Sequence, residues 1–174
     1  KHHYTYHGLN ASGQEDPQDY TSYDGLIRLF AEWRVGVLKD RIQRDPDGAQ
    51  AQAVGVGPAD GGSPHCVCEK CRDLLRKGPY GLFLDQDASI PDRVFHLSNE
   101  VAKRVMNAYT DRYVNLYAYY DHAAPPTIPI HPQTIVTVCP RGFQMTGFFG
   151  EALVDEWIDK SRRNPWGRFK LGAY

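Results

Sequence analysis

No apolar run in the sequence approaches the roughly 18 residues that a membrane helix needs. The expectation is therefore a domain without membrane insertion. An excess of either charge is also missing. Lysine and arginine number 20 against 21 acidic residues, a formal net charge of -1, so no long-range field draws in nucleic acid or an anionic surface. The glycine-rich fingerprint of dinucleotide-binding folds is absent. So are an initiator methionine and a signal peptide, which leaves the true start out of view. Disordered composition is lacking too: 41% hydrophobic residues and 16 glycines bring the chain near the ordinary globular fraction. At 174 residues it is long enough to bury one sizeable core.

Aromatic residues make up 12%, and 11 of them are tyrosine. A tyrosine joins a flat apolar body to a hydrogen-bonding tip, which suits sugar faces and interfaces. Tyrosines also favour strands for purely structural reasons.

Residues 1–21 read as a polar lead-in with a short strand at 4–7, and residues 22–174 as the main domain. Within it, Leu26, Leu29, Phe30, Trp33, Val37 and Ile42 recur at helical spacing over Asp24–Arg44. Thr21 and Asp24 offer a capping box before that run, and Asp45-Pro46-Asp47-Gly48 stops it. A short buried strand is expected at 52–56, then a long connection over 57–90. A second helix is expected at 91–109, with Val94, Leu97, Val101, Val105 and Ala108 on one face. Strands follow at 113–119 and Thr134–Val138, separated by a proline-rich loop. A third helix at 151–162 carries Leu153, Val154, Trp157 and Ile158, and a last strand falls at 169–174.

Alternation of this kind predicts an α/β fold of mostly parallel strands joined by crossovers. A closed eight-stranded barrel takes about 250 residues, so the expectation is a partial (β/α)8, TIM-barrel-like segment. An open doubly wound sheet is the structural alternative.

In parallel α/β architecture the loops at the carboxyl ends of strands share one face. That rule selects Pro58-Ala59-Asp60-Gly61-Gly62, Tyr120-Asp121-His122 and Cys139-Pro140-Arg141. Glycosidic hydrolysis needs two carboxylates, one to protonate the leaving oxygen and one as base or nucleophile. Asp60 is the candidate acid/base because its glycine neighbours allow close approach; Asp-Gly-Gly is also a simple turn. Asp121 and His122 are candidates for positioning sugar or water, with capping of the loop and plain solvation as their structural readings. Tyr117, Tyr119 and Tyr120 are candidate sugar-binding rings. Strand alternation puts Tyr117 and Tyr119 on one side and Tyr120 on the other. Arg141 can grip a carboxylate such as that of a uronic acid.

The sharpest local pattern is His65-Cys66-Val67-Cys68-Glu69-Lys70-Cys71. Cys66, Cys68 and Cys71 can wrap one structural zinc, with His65 or Cys139 as a fourth ligand. Disulfide pairing and simple reduced thiols are the competing readings.

The combination of Asp60-Gly61-Gly62 with Cys66-x-Cys68-x-x-Cys71 resembles a bacterial family of unknown function found in polysaccharide-degrading proteins and similar to α-glucuronidases. The resemblance continues through Asn99-Glu100-Val101-Ala102, Leu116-Tyr117-Ala118-Tyr119, Pro125-Pro126, Cys139-Pro140, Trp157 and Leu171-Gly172-Ala173-Tyr174. It implies a TIM-like barrel domain, secreted or periplasmic, within a longer barrel chain, with glycoside hydrolase activity on a carbohydrate. It supplies no catalytic assignment, so Asp60 rests on position alone. A non-catalytic carbohydrate-binding module and a zinc-clipped interaction domain are the rival functions.

Overall fold

A computed structural model of the chain describes residues 8–9, 15–16, 24–57, 90–119, 122–139 and 150–173. In the lead-in, β1 (Gly8–Leu9) pairs antiparallel with β2 (Glu15–Asp16); the strand expected at 4–7 lies outside the described residues. The main domain runs α1 (Asp24–Arg44), α2 (Ala49–Gln52), β3 (Ala53–Gly55), α3 (Ile90–Ala108), β4 (Tyr113–Ala118), β5 (Thr134–Val138), α4 (Gly150–Arg163) and β6 (Lys170–Ala173).

Strands β3, β4, β5 and β6 form one parallel sheet in that spatial order. Each new strand is added on the same side of the last. A doubly wound sheet reverses direction at a switch point, and none occurs among the described strands. The chain is thus an α/β domain built from partial βα repeats, as the alternation of elements predicted.

Side chains alternate across a strand, and the sheet separates them cleanly. Val54, Val56, Val114, Leu116, Ala118, Val136 and Val138 are buried against the helix layer. Residues of the other parity are half-buried or exposed. On the helix side, Trp157 is fully buried and meets Phe95 at 5.4 Å and Phe169 edge-on at 6.1 Å. Such ring pairs add roughly 0.5–1.5 kcal/mol each beyond the area they bury.

Helix α1 departs in part from the expected face. Phe30, Val37 and Ile42 pack against the core as expected. The fully buried residues among those described are Ile27, Ala31 and Leu38, whereas Leu29 and Trp33 are 44% and 55% exposed; the Leu26 side chain lies outside the described residues. Apolar residues surround this helix, so the pattern has no single phase, and the small Ala31 lies on the buried side. Trp33 is covered instead by its neighbour Arg34, whose guanidinium lies 4.1 Å from the indole centroid. The one-turn helix α2 directly before β3 was not anticipated.

Among the described residues, the connection between β4 and β5 has no α-helix. Parallel neighbours need a long crossover, and here residues 123–133 cross as an extended strap between α3 and α4. Pro125, Pro126, Pro129 and Pro132 remove four backbone donors from it. Several of its remaining polar groups find side-chain partners. From α3, the Asp92 carboxylate accepts from the Thr127 backbone and hydroxyl. Asn99 donates to Pro129 O at 2.8 Å and accepts from His131 N at 2.8 Å. From α4, Trp157 Nε1 donates to Ala123 O at 2.8 Å. Beyond the helix, Asn164 accepts from Ile130 N at 2.9 Å and donates to Ile130 O at 2.7 Å. Asn164 also reaches Gly167 O, where Gly167, at φ 101°, makes the left-handed turn into β6. At the strap's end the Gln133 amide donates to the carbonyls of Thr110 and Arg112 at 2.8 and 2.9 Å, closing the turn between α3 and β4.

Two stability predictions follow from the strap. Asn164→Ala leaves the Ile130 N–H and C=O unpaired in the interior, so a loss of about 2–4 kcal/mol is expected in urea denaturation. His131 is buried, and its Nδ1 accepts the Gln133 N–H at 3.2 Å. Burial first, and Lys103 second, push its pKa below the ordinary histidine value. The unfolded chain therefore takes up this proton at higher pH than the folded one. The stabilisation is complete above about pH 6.5 and declines as pH falls through the lowered folded value. Melting temperatures between pH 5 and 8 should drop on the acid side, and His131→Gln should flatten that slope.

Candidate functional site at the carboxyl ends of the strands

Because all four strands are parallel, their carboxyl ends lie at one rim. The register pairs Ala118 with Val138 and Val138 with Ala173. Cys139 N donates to Ala118 O at 3.1 Å, so the exits of β4 and β5 are adjacent. β3 leaves one step lower. Gly55 pairs with Asn115, and Val56 N donates to Asn115 O at 2.9 Å, so Gly57 sits beside the level of Tyr117. A Cβ at Gly57 would stand 3.8 Å from that of Leu116. The segment leading to Asp60 thus departs from the sheet next to Tyr117.

Three expected site residues can be placed. Tyr117 is 49% exposed on the face away from the helices. Tyr119 follows the end of β4 and is half-buried. His122 is only 6% exposed, which removes the reading of a merely solvated loop histidine. Its N–H donates to Tyr119 O at 3.2 Å in a tight turn, and the next residue, Ala123, is held by Trp157. His122 is therefore fixed where the strap leaves the rim. Asp60, Asp121, Tyr120, Arg141 and the cysteines Cys66, Cys68 and Cys71 lie outside the described residues, as does the long connection after β3.

Of the two candidate fourth ligands, His65 lies outside the described residues, and Cys139 is half-buried, with Sγ 3.8 Å from Thr137 O. Burial pushes its thiol pKa up, so it is protonated at neutral pH. Among the described residues no group of three or more His, Cys, Asp or Glu side chains is placed to hold a metal.

The open face carries residues that the strand-end rule alone did not select. Reading across the sheet by register, Gly55, Asn115, Ile135 and Lys170 form one row, and Tyr117, Thr137 and Gly172 the row nearer the rim. Lys170 reaches diagonally until its Nζ lies 3.8 Å from the Tyr113 ring centroid. Among the described residues this face bears one cation and no carboxylate. The signal was present in the segment Tyr113-Val114-Asn115-Leu116-Tyr117-Ala118. Strands covered on both sides read as continuous apolar runs, whereas here polar and apolar residues alternate.

A parallel βα-repeat domain with its strand exits gathered at one rim is the class that these observations define. The chain belongs to the family described as domain of unknown function (DUF4838), whose model matches residues 32–165. No curated protein and no solved structure matches it, so no match supports the expected likeness to α-glucuronidases. No helix among the described residues is long and apolar enough to cross a membrane.

The two faces of β4 make opposite predictions. Leu116→Ala opens a cavity in the core and should cost about 2–5 kcal/mol. Tyr117→Ser, one residue on, should cost less than about 1 kcal/mol. Urea midpoints of the two variants check the assignment of faces.

Proposed function

We propose that this domain works as a glycoside hydrolase-like unit on a poly- or oligosaccharide, within a longer barrel chain. The observation that supports the reading most is the common direction of β3, β4 and β5. It gives the segments bearing Asp60, the Asp121-His122 pair and Arg141 one shared rim to start from. An exposed tyrosine ring also stands beside the departure point of the first.

In this reading Asp60 is the acid/base, three residues beyond Gly57. Asp121 and His122 position sugar or water, with His122 anchored through its own backbone and through Ala123. Tyr117, Tyr119 and Tyr120 offer ring faces and hydroxyls to the sugar, and Arg141 meets a carboxylate where the substrate is uronic-acid-bearing. Cys66, Cys68 and Cys71 would clip the connection after β3 around a structural zinc, without a part in the reaction. A polymeric carbohydrate substrate suits a secreted or periplasmic protein.

The test is turnover of a panel of aryl-glycosides and oligosaccharides by the full-length protein. Asp60→Asn keeps the shape and removes the ionisable group, so a fall of about 100-fold or more is expected. Unchanged turnover removes Asp60 from the mechanism. Saccharide binding without any turnover would instead identify a carbohydrate-binding module on the same scaffold.

A further inference from the structure

Two polar side chains on the open face are not used by any described residue. Asn115 and Thr137 both belong to the parity turned away from the helices, and both are half-exposed. The Asn115 amide and the Thr137 hydroxyl take no hydrogen bond among the described residues. On the helix side, the amide NH2 groups of Asn99, Gln133 and Asn164 all donate to backbone carbonyls.

Each unpartnered group also lies next to a glycine in the neighbouring strand. A Cβ added at Gly55 would stand 3.8 Å from Asn115 Oδ1, and one added at Gly172 would stand 3.4 Å from Thr137 Oγ1. Neither position has a left-handed backbone that demands glycine. The lack of a side chain there leaves the amide and the hydroxyl uncovered.

Between them, Tyr117 pairs directly with Thr137 and lies two residues from Asn115 along the same strand. Strand spacing separates Tyr117 from Thr137 by about 4.8 Å and from Asn115 by about 6.7 Å on the backbone. A ring, an amide and a hydroxyl thus stand on a rigid surface at the spacing of hydroxyl groups around one or two pyranose rings.

We infer that Asn115 and Thr137, with the Tyr117 ring, form the floor of a binding site for a neutral saccharide. This inference rests on the carbohydrate reading above and adds the residues that grip the substrate. Free amides and hydroxyls exchange hydrogen bonds with sugar hydroxyls, and an aromatic ring packs on the apolar face of a pyranose. Among the described residues the nearest cation, Lys170, is occupied over Tyr113 and has no carboxylate on the face beside it. An uncharged ligand fits this balance better than a phosphate-bearing one, which calls for several cations.

The test is calorimetric titration of the full-length protein with two neutral probes, cellohexaose and xylohexaose. Thr137→Val keeps the branched shape and removes the hydroxyl; Asn115→Ala removes the amide from an exposed position. Each should weaken binding of the probe that the wild type takes by about three- to tenfold, with melting temperatures near that of the wild type. Wild-type affinity in both variants overturns the inference and leaves the carbohydrate reading standing. If the wild type binds neither probe yet hydrolyses other glycosides, the neutral-sugar floor is again overturned while the enzyme reading survives. Absence of both binding and turnover across the panel removes both.

Discussion

The constraint on which the main domain depends is the need to satisfy a buried backbone where no helix does it. Two neighbouring parallel strands, β4 and β5, are joined by a strap whose prolines rule out helical hydrogen bonding. A buried carbonyl or amide without a partner costs about as much as several apolar contacts contribute. The fold meets this with side chains aimed from both flanks. Asn99 and Asn164 each take one donor and one acceptor of the strap, and Trp157 and Asp92 take others. An asparagine suits this task because its amide repeats the donor–acceptor pair of a peptide group. The strap therefore lies between α3 and α4 as a third helix would, and the strands beneath it pair in register.

That arrangement explains several residues which the sequence alone marks as noteworthy without saying why. Asn99 and Trp157 belong to the pattern that carries the family resemblance, and a polar residue in such a pattern invites a catalytic role. Both instead face the strap, on the side of the sheet opposite to the open face. His131 and Gln133 are likewise engaged in holding the chain at the foot of β5. Glu156, on α4, has a carboxyl group whose pKa is raised by burial. A perturbed acid often signals a functional site, but this one sits in the helix layer, far in the topology from the faces that strand alternation leaves open.

Much of this architecture could be read in advance. Helix α1 and strand β5 span the expected runs Asp24–Arg44 and Thr134–Val138, while the capping residue Thr21 lies outside the described residues. Asp45-Pro46-Asp47-Gly48 ends the helix and a run of β-branched residues defines the strand, so local physics decides these boundaries. The parallel direction followed from the order of elements alone. The phase of α1 was not legible, because a helix with apolar residues on every side carries no directional signal. The role of the strap was hidden for a different reason. Its partners lie 30 to 35 residues away in sequence, and only tertiary contact reveals which amide meets which carbonyl. The candidate site was half legible. Tyr117, Tyr119 and His122 come together at the exit of β4, while Asn115 and Thr137 needed the register between strands before their shared surface became visible.

The division between the two faces bears on how such a domain could act on a substrate. Catalytic groups on loops are easily varied, but a substrate must be held within a fraction of an ångström of the productive position. Rigid placement comes best from a strand whose other side chains are locked in a core. Tyr117 is flanked along the chain by Leu116 and Ala118, both buried, and Asn115 by Val114 and Leu116. Thr137 lies between Val136 and Val138, buried in the same layer. Each group on the open face is thus held by neighbours that cannot turn without breaking the core. The strap matters here too, since it keeps the helix layer closed and with it the strands that present the polar row. Binding by the sheet and chemistry by the rim loops would then be separable properties, sensitive to different substitutions. On the proposed function, that separation would let a scaffold of this kind keep the inferred sugar-holding floor while its loops change.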